Sequence, residues 1–307
     1  MNNISDIIFE IMYIISGIIF ISTGIYNLID KKNPKRFGTA IFWTITGIIF
    51  IAGPYINPTI VGGLLILLGL LTVTKNIEIG SLINSSEEYR KAKSEKIGNK
   101  IFIPALSIGV VAFAIAQFTN LGGLVGLGFG ALVSLILTMI TTKENPKYIS
   151  YDSSRVLQQM GPSVILPQLL GALGILFSKA GVGDLISEMM KGVIPDESKL
   201  FGVVGYCVAM ALFTMIMGNA FAAFAVITTG IGIPFVVHLG ANPAIVGALG
   251  ITAGYCGTLM TPMAANFNII PASILEMENK NGVILVQAPI ALTLLIIHIL
   301  LMYTLAF

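Results

Sequence analysis

The sequence predicts an all-α integral membrane protein, a multi-span helical bundle with a re-entrant hairpin and a discontinuous helix. Of its 307 residues, 55% are hydrophobic and only 10% are charged, whereas soluble domains carry about 25% charged residues. Several apolar runs approach the roughly 20 residues that a bilayer-spanning helix needs. In addition, two clusters of helix-breaking and uncharged polar residues interrupt a long block without charges.

The N-terminal region, residues 1–155, is predicted to be a helical scaffold. Its apolar runs place five spans at 7–28, 37–53, 59–74, 101–117 and 123–141. The charged segment 75–100 between the third and fourth spans must lie in water. At the start of the fifth span and within it, Gly122, Gly126 and Gly130 recur every four residues, which predicts a face for close helix packing.

Lysine and arginine concentrate in three loops of this region, 31–36, 75–100 and 143–155. All three loops lie on one side if each span crosses once, and the positive-inside rule then makes them cytoplasmic and the N-terminus external. The net charge is only +2, and the basic residues are scattered through loops. Nothing therefore points to nucleic acid as a partner, whereas the lipid bilayer is an obligatory one.

The C-terminal region, residues 156–307, begins with a span broken near Gly161 and Pro162. The segment 182–192 that follows predicts an interfacial amphipathic helix, because its apolar and charged side chains separate onto two faces. A loop helix packed on the protein is the alternative. The apolar face is formed by Leu185, Ile186, Met189 and Met190, and the charged face by Asp184, Glu188 and Lys191.

Residues 200–275 contain no Asp, Glu, Lys or Arg, yet the sequence is interrupted twice. Gly218-Asn219 divides the segment 201–237 and predicts a hairpin whose arms do not each cross the membrane. A second cluster from Gly257 to Asn268 divides the segment 242–275 and predicts a broken helix. Irregular backbone at membrane depth survives only where it is buried in protein or lines a wet cavity. The two breaks therefore predict a shared binding site.

Breaks of this kind expose half-helix N-termini, which attract anions, and carbonyl oxygens, which bind small cations. The candidate substrate-binding residues are Asn219, Ala220, Thr261, Pro262, Asn266 and Asn268, and the candidate ligands for a sodium ion are Gly218, Asn219, Gly257, Thr261 and Asn266. Structural alternatives remain open: Asn219 as a turn residue, Thr261-Pro262 as a kink, and the two later asparagines as interhelical hydrogen-bonding groups.

The segments MGNAFAAFAVITTGIGIPFV and GALGITAGYCGTLMTPMAANFNIIPASI resemble the second re-entrant hairpin and following broken helix of the ion transporter superfamily, which includes dicarboxylate, gluconate and TRAP-type carriers. LQQMGPSVILPQLLGALGILFSKAGVGDLI is similar to the helix and interfacial turn before them. Nearly the whole chain resembles a bacterial membrane family assigned as one subunit of a two-component 5-oxoproline (pyroglutamate) transporter. Carriers of the superfamily normally have two inverted hairpins, whereas this sequence shows one.

The resemblance implies an elevator-type transporter half in which residues 156–307 are the transport-type region. It further implies a bacterial cytoplasmic membrane, an ion-coupled subunit carrying a small organic anion such as 5-oxoproline, and either a second membrane subunit or a homodimer. The alternatives are a non-transporting scaffold or accessory subunit and a stand-alone homodimeric carboxylate carrier. No cofactor is expected beyond sodium as the coupling ion, and no enzymatic activity, because no catalytic constellation appears.

Overall fold

The computed structural model describes residues 4–195, 198–275 and 277–307, apart from the side chain of Pro167. All regular secondary structure of the described residues is helical, and these residues contain no β-strand. They divide into two compact units, Met1–Gly161 and Pro162–Phe307. The α-helices, numbered α1 to α14 in chain order, are Ile4–Ile29, Arg36–Ala52, Pro58–Val73, Glu87–Ile97, Phe102–Phe118, Gly123–Thr142, Ile149–Met160, Leu166–Lys179, Val182–Met190, Lys199–Met217, Ala220–Ile227, Pro243–Thr258, Ile269–Ile274 and Gly282–Leu305.

The predicted N-terminal spans are confirmed as helices α1, α2, α3, α5 and α6, with ends that differ from the prediction by a few residues. Within the described chain, 8 helical segments are long and apolar enough to cross a bilayer. The protein is therefore a multi-span membrane protein. The predicted boundary after Arg155 lies inside α7, and the helix itself ends at Met160 because Gly161 adopts a left-handed φ of +56°.

Helices α1 and α2 of the first unit pack at backbone distance. A Cβ atom on Gly17 would lie 2.8 Å from the carbonyl oxygen of Gly47, and one on Gly47 would lie 2.7 Å from that of Gly17. Two polypeptide backbones can approach this closely only where both helices present small residues. The only tryptophan of the sequence, Trp43, is fully buried against Phe20 beside this contact.

Helices α5 and α6 use the predicted glycine face in the same way. A Cβ atom on Gly126 would lie 2.8 Å from the carbonyl oxygen of Ala112, and one on Gly130 would lie 2.6 Å from that of Ile108. Gly122 differs, because it precedes the helix with φ +84° and has open space beside it. The glycine face is thus confirmed for Gly126 and Gly130, and it packs within one chain.

The three positively charged loops meet at one end of the first unit. Asp30 accepts hydrogen bonds from the Ser81 backbone and hydroxyl, both at 2.7 Å, and Lys93 forms an ion pair of 2.5 Å with Glu144. Partial burial raises the pKa of the Asp30 carboxyl, but the hydrogen bonds from Ser81 and from the backbone of Lys32 outweigh it, so the pKa lies below its usual value. The prediction that these loops share one side agrees with these contacts.

Helix α10 and the helical segment after it form an antiparallel hairpin in the second unit. The Tyr206 hydroxyl lies 2.8 Å from the Thr228 hydroxyl, and Gly202 abuts the Phe235 backbone, so the two arms run side by side from the break at Gly218-Asn219. The second arm continues from α11 into a π-helix, Thr228–Val237. Both arms are as long and apolar as bilayer-spanning helices. The expectation that neither arm crosses completely therefore stays a prediction.

The end of helix α14 completes the core of the second unit. Met302 is fully buried in the same cluster as Tyr206 and Met210 of α10. The carbonyl oxygen of Ala306 accepts a hydrogen bond of 2.8 Å from the backbone N–H of Asn242, which caps α12. The C-terminal end of the second unit therefore packs in the same core as α10.

Helix α9 combines features of both interpretations given for segment 182–192. Ile186 and Met190 pack against the core of the second unit. Leu185 and Met189, on the neighbouring strip of the same helix, are 58% and 67% exposed. The helix is thus docked on the protein by one part of its apolar face, while the other part stays open, as an interfacial helix requires.

We predict that Gly130→Leu lowers the melting temperature of the detergent-solubilised protein, because overpacking costs about 1–3 kcal/mol where a helix backbone occupies the space. Gly109→Leu in the partner helix α5 is the matched control, since open space surrounds Gly109. Thermal unfolding followed by circular dichroism measures both variants. Equal destabilisation by the two substitutions would contradict the proposed packing role.

Candidate functional site

The two helix breaks of the second unit meet around a cavity of about 230 Å³. One break joins α10 to α11, and the other joins α12 to α13. The Thr261 hydroxyl donates a hydrogen bond of 2.8 Å to the carbonyl oxygen of Met215 and so connects the breaks directly. The lining residues are Leu166, Leu170, Gly218, Asn219, Ala220, Phe221, Tyr255, Thr258, Met263, Ala265, Asn266 and Phe267.

Gly218 is required at the first break for two reasons. Its φ is +68°, a conformation that side chains with a Cβ atom rarely adopt. A Cβ atom at this position would also overlap the carbonyl group of Met263 from the second break. The tip of the hairpin can approach the broken helix only because Gly218 has no side chain.

Asn219 acts as the N-cap of α11. Its Oδ1 atom accepts hydrogen bonds from the backbone N–H groups of Phe221 at 2.9 Å and Ala222 at 3.2 Å. The turn interpretation therefore accounts for the side-chain oxygen, while the amide nitrogen is the group that Asn219 can offer to a ligand. The same cap fixes the N-terminus of α11 beside the cavity.

The second break is held by two residues that do not line the cavity. The Nδ2 atom of the fully buried Asn268 donates to the carbonyl oxygens of Thr258 and Thr261, each at 2.7 Å. Thr261 is also buried, and its hydroxyl accepts from the backbone of Met263 in addition to its bond to Met215. Asn268 thus satisfies carbonyls that the broken helix leaves without partners, while the Thr261 hydroxyl ties the break to α10.

The predicted site residues thus fall into two groups. Gly218, Asn219, Ala220 and Asn266 line the cavity together. The other four do not line it. Thr261 and Asn268 support the break, and Pro262 is exposed outside the lining. A Cβ atom on Gly257 would overlap the carbonyl of Ala211, so this glycine serves helix packing. The carbonyl oxygen of Gly257 also accepts from the Met260 backbone at 3.1 Å.

Some lining residues were not predicted from the sequence, among them the aromatic Phe221, Tyr255 and Phe267 and the hydroxyl-bearing Thr258. Tyr255 and Thr258 lie three residues apart on α12 and so share the face toward the cavity. Phe221 and Phe267 each follow a polar residue of a break by one or two positions. Tyr255 and Thr258 could have been predicted from the sequence, because they share one face of the helix that leads into the second break.

The described lining residues carry no charge. Their polar groups are the amides of Asn219 and Asn266 and the hydroxyls of Tyr255 and Thr258, of which the Thr258 hydroxyl donates to the Tyr255 carbonyl at 2.7 Å. Within the described part of the chain, no group of three or more His, Cys, Asp or Glu residues could hold a metal ion. The cavity is therefore suited to binding by neutral hydrogen-bonding groups and helix termini.

The fold and the cavity define a multi-span, all-helical membrane protein with an uncharged cavity between two helix breaks. The chain belongs to the family described as Protein of unknown function (DUF979), which matches residues 10–307. No curated protein and no solved structure matches the chain.

We predict that Asn268→Leu destabilises the protein by about 1–3 kcal/mol per carbonyl left unpaired and increases hydrogen exchange of the backbone between α12 and α13. Asn266→Leu is the matched control, because Asn266 is exposed to the cavity. Hydrogen–deuterium exchange in detergent measures both. If Asn268→Leu leaves exchange in this segment unchanged, Asn268 does not hold the break.

Proposed function

We propose that the chain is a subunit of a secondary active transporter for a small organic anion, with 5-oxoproline as the expected substrate. The observation that supports this proposal is the meeting of two helix breaks around one uncharged cavity. The resemblance of both breaks to those of ion transporter superfamily carriers favours an elevator-like movement of the second unit. The bacterial cytoplasmic membrane and an external N-terminus follow from the same resemblance and from the positive-inside rule.

The anion is held by partial charges at the N-terminus of α11. The amide dipoles of a helix place positive potential at its N-terminus, and Ala220 and Phe221 bring this end of the helix to the cavity. Asn219 and Asn266 add amide N–H donors on the same side. Neutral donors avoid the large desolvation cost of a cationic side chain inside the membrane.

Sodium is the proposed coupling ion. Proton coupling usually needs a buried group whose pKa is crossed during the cycle, and residues 200–275 offer only His238, which follows the π-helix and does not line the cavity. The Gly218 carbonyl and the Asn266 side chain offer oxygen ligands at the breaks. Thr261 and Gly257 contribute by holding the backbone in place.

The working assembly contains a second membrane subunit or a second copy of this chain. Carriers of the resembling superfamily bring two inverted hairpins to one site, whereas the sequence shows one. An accessory subunit that does not itself bind substrate is the second candidate. It is favoured by the internal hydrogen bonds of Asn219 Oδ1, Thr261 and Asn268, which a purely structural break would also make.

We predict that proteoliposomes containing the working assembly accumulate labelled 5-oxoproline when an inward sodium gradient is imposed. His238→Gln leaves this uptake nearly intact, because the imidazole is not part of the cavity. Uptake that ignores sodium and follows an imposed pH gradient would contradict sodium coupling. No uptake of any small organic anion under either gradient would argue for the accessory candidate.

We predict that Asn219→Asp lowers uptake by at least about tenfold while the melting temperature stays close to that of the unaltered protein. Aspartate is as good an N-cap as asparagine, but it adds a negative charge that repels an anionic substrate. Asn219→Ala provides the comparison, since loss of the cap costs about 0.5–2 kcal/mol. If Asn219→Asp transports normally, the substrate does not bind at the hairpin tip.

A further inference from the structure

Helix α7 of the first unit borders two cavities that share one residue, Asp152. One is a polar cavity of about 480 Å³ among the basic loops, and the other is an open, mostly apolar groove of about 490 Å³ beside α1. A single ligand that fills both needs a polar end at Asp152 and an apolar chain along α1. The groove is lined, besides Asp152, by Ser16, Ile19, Phe20, Ser153, Val156 and Leu157.

Tertiary hydrogen bonds hold α7 in place on both sides. The Thr23 hydroxyl of α1 donates to the Ser154 hydroxyl at 3.1 Å. On the other side, the Tyr151 hydroxyl accepts from the backbone N–H of Ile83 and donates to the carbonyl oxygen of the same residue, each at 3.1 Å. The shared residue Asp152 therefore stands on a helix that is fixed against both α1 and the loop 75–86.

The polar cavity contains carboxylate oxygens that are open to a ligand. Among the contacts of the described chain, those of Glu144 engage Oε1 alone, which accepts from the Tyr89 hydroxyl and the Lys93 ammonium group. These bonds, the one from Lys93 first, hold the pKa of the Glu144 carboxyl below its usual value. Asp152 is paired only through Oδ1, with Nε of Arg155 at 3.5 Å, and its side chain is 62% exposed. Glu144 Oε2 and Asp152 Oδ2 thus remain as acceptors.

Charges of both signs surround this cavity in separate places. The described lining residues include carboxylates but no lysine or arginine. Ammonium groups stand outside the lining: that of Lys93 lies 5.3 Å from the ring centroid of Tyr89, and that of Lys147 lies 5.0 Å from that of Tyr148. A headgroup with an ammonium and a phosphate matches this arrangement, because the ammonium can donate to the carboxylates while the phosphate faces the lysines.

The groove lies at the depth where lipid chains meet their headgroups. Helix α1 has 26 residues and is about 39 Å long, whereas the hydrocarbon core of a bilayer is about 30 Å thick. Tyr148 and Tyr151 stand at the end of α1 that carries the basic loops, and the Tyr26 ring lies 6.0 Å from that of Tyr151. Tyrosine is enriched at membrane interfaces. An acyl chain can therefore enter the groove while its headgroup reaches the polar cavity.

We propose that α1 and α7 form a binding site for one phospholipid whose headgroup ends in a primary ammonium group. The ammonium donates to Glu144 Oε2 and Asp152 Oδ2, and one acyl chain lies in the groove against Ile19 and Val156. An apolar groove alone accepts any acyl chain, so the two carboxylates provide the selectivity. The site belongs to the first unit and does not rest on the proposed transport function.

The only tryptophan of the sequence reports on this groove. Trp43 stacks on Phe20 with ring centroids 5.8 Å apart, and Phe20 lines the groove. Bromine atoms on an acyl chain quench tryptophan fluorescence at short range, so quenching by a brominated lipid follows occupancy of the groove. The full chain is reconstituted in bilayers in which one minority lipid carries brominated chains. That lipid is phosphatidylethanolamine, phosphatidylcholine or phosphatidylglycerol in turn.

We expect the apparent affinity for phosphatidylethanolamine to exceed that for the other two lipids by about fivefold or more, since exposed charge pairs contribute modestly. Glu144→Gln combined with Asp152→Asn should reduce this preference to about twofold or less. Glu95→Gln is the control, because Glu95 is exposed on α4 outside the lining. Val156→Phe should weaken quenching by all three lipids, because the ring fills the groove, whereas Val110→Phe on the exposed side of α5 should not.

Melting temperatures show that each variant is folded, and the comparison of the three lipids on the unaltered protein needs no variant. Equal affinities for the three lipids, or tighter binding of phosphatidylglycerol, overturn the role of the carboxylates. O-phosphoethanolamine carries the headgroup without chains. If it displaces the brominated lipid as well as unbrominated phosphatidylethanolamine does, the site takes a soluble amine and the lipid assignment is wrong. None of these results depends on anion transport by the second unit.

Discussion

The second unit depends on one constraint, which is that backbone N–H and C=O groups inside a membrane must find partners within the protein. Wherever a helix stops in the middle of an apolar segment, its last carbonyls and first N–H groups must be satisfied by other means. Asn219 does this for the first turn of α11, and Asn268 does it for the last carbonyls of α12. These hydrogen bonds stabilise the two breaks that border the cavity.

The positions of the helices and breaks could be predicted because they depend on local chemistry. Apolar run length fixes the spans, and Gly218 and Gly161 end helices through their own backbone preferences. Which polar residues line the cavity and which hold the backbone in place could not be predicted in this way. Asn266 and Asn268 are two positions apart, yet one faces the cavity and the other is fully buried. Their roles depend on the irregular path of the chain between α12 and α13, for which no periodic pattern exists.

The glycines illustrate the same limit. Gly257 and Gly218 both stand in clusters of helix breakers, and both were predicted to offer carbonyl oxygens to a cation. In the structure Gly218 has positive φ and lines the cavity, whereas Gly257 lies within α12 against α10. A glycine that shapes a loop and one that admits a neighbouring helix look identical in a sequence, because both needs are met by the absence of a side chain.

The packing of α14 in the core of the second unit has a consequence for biogenesis. The paired helices α1 with α2 and α5 with α6 are neighbours in sequence, so each pair can form as soon as it has been synthesised. The hairpin of the second unit, by contrast, lacks part of its core until Met302 has been made, and Asn242 lacks its bond to Ala306. During synthesis the core beside the hairpin is therefore completed late, although every lining residue of the cavity has been made before α14.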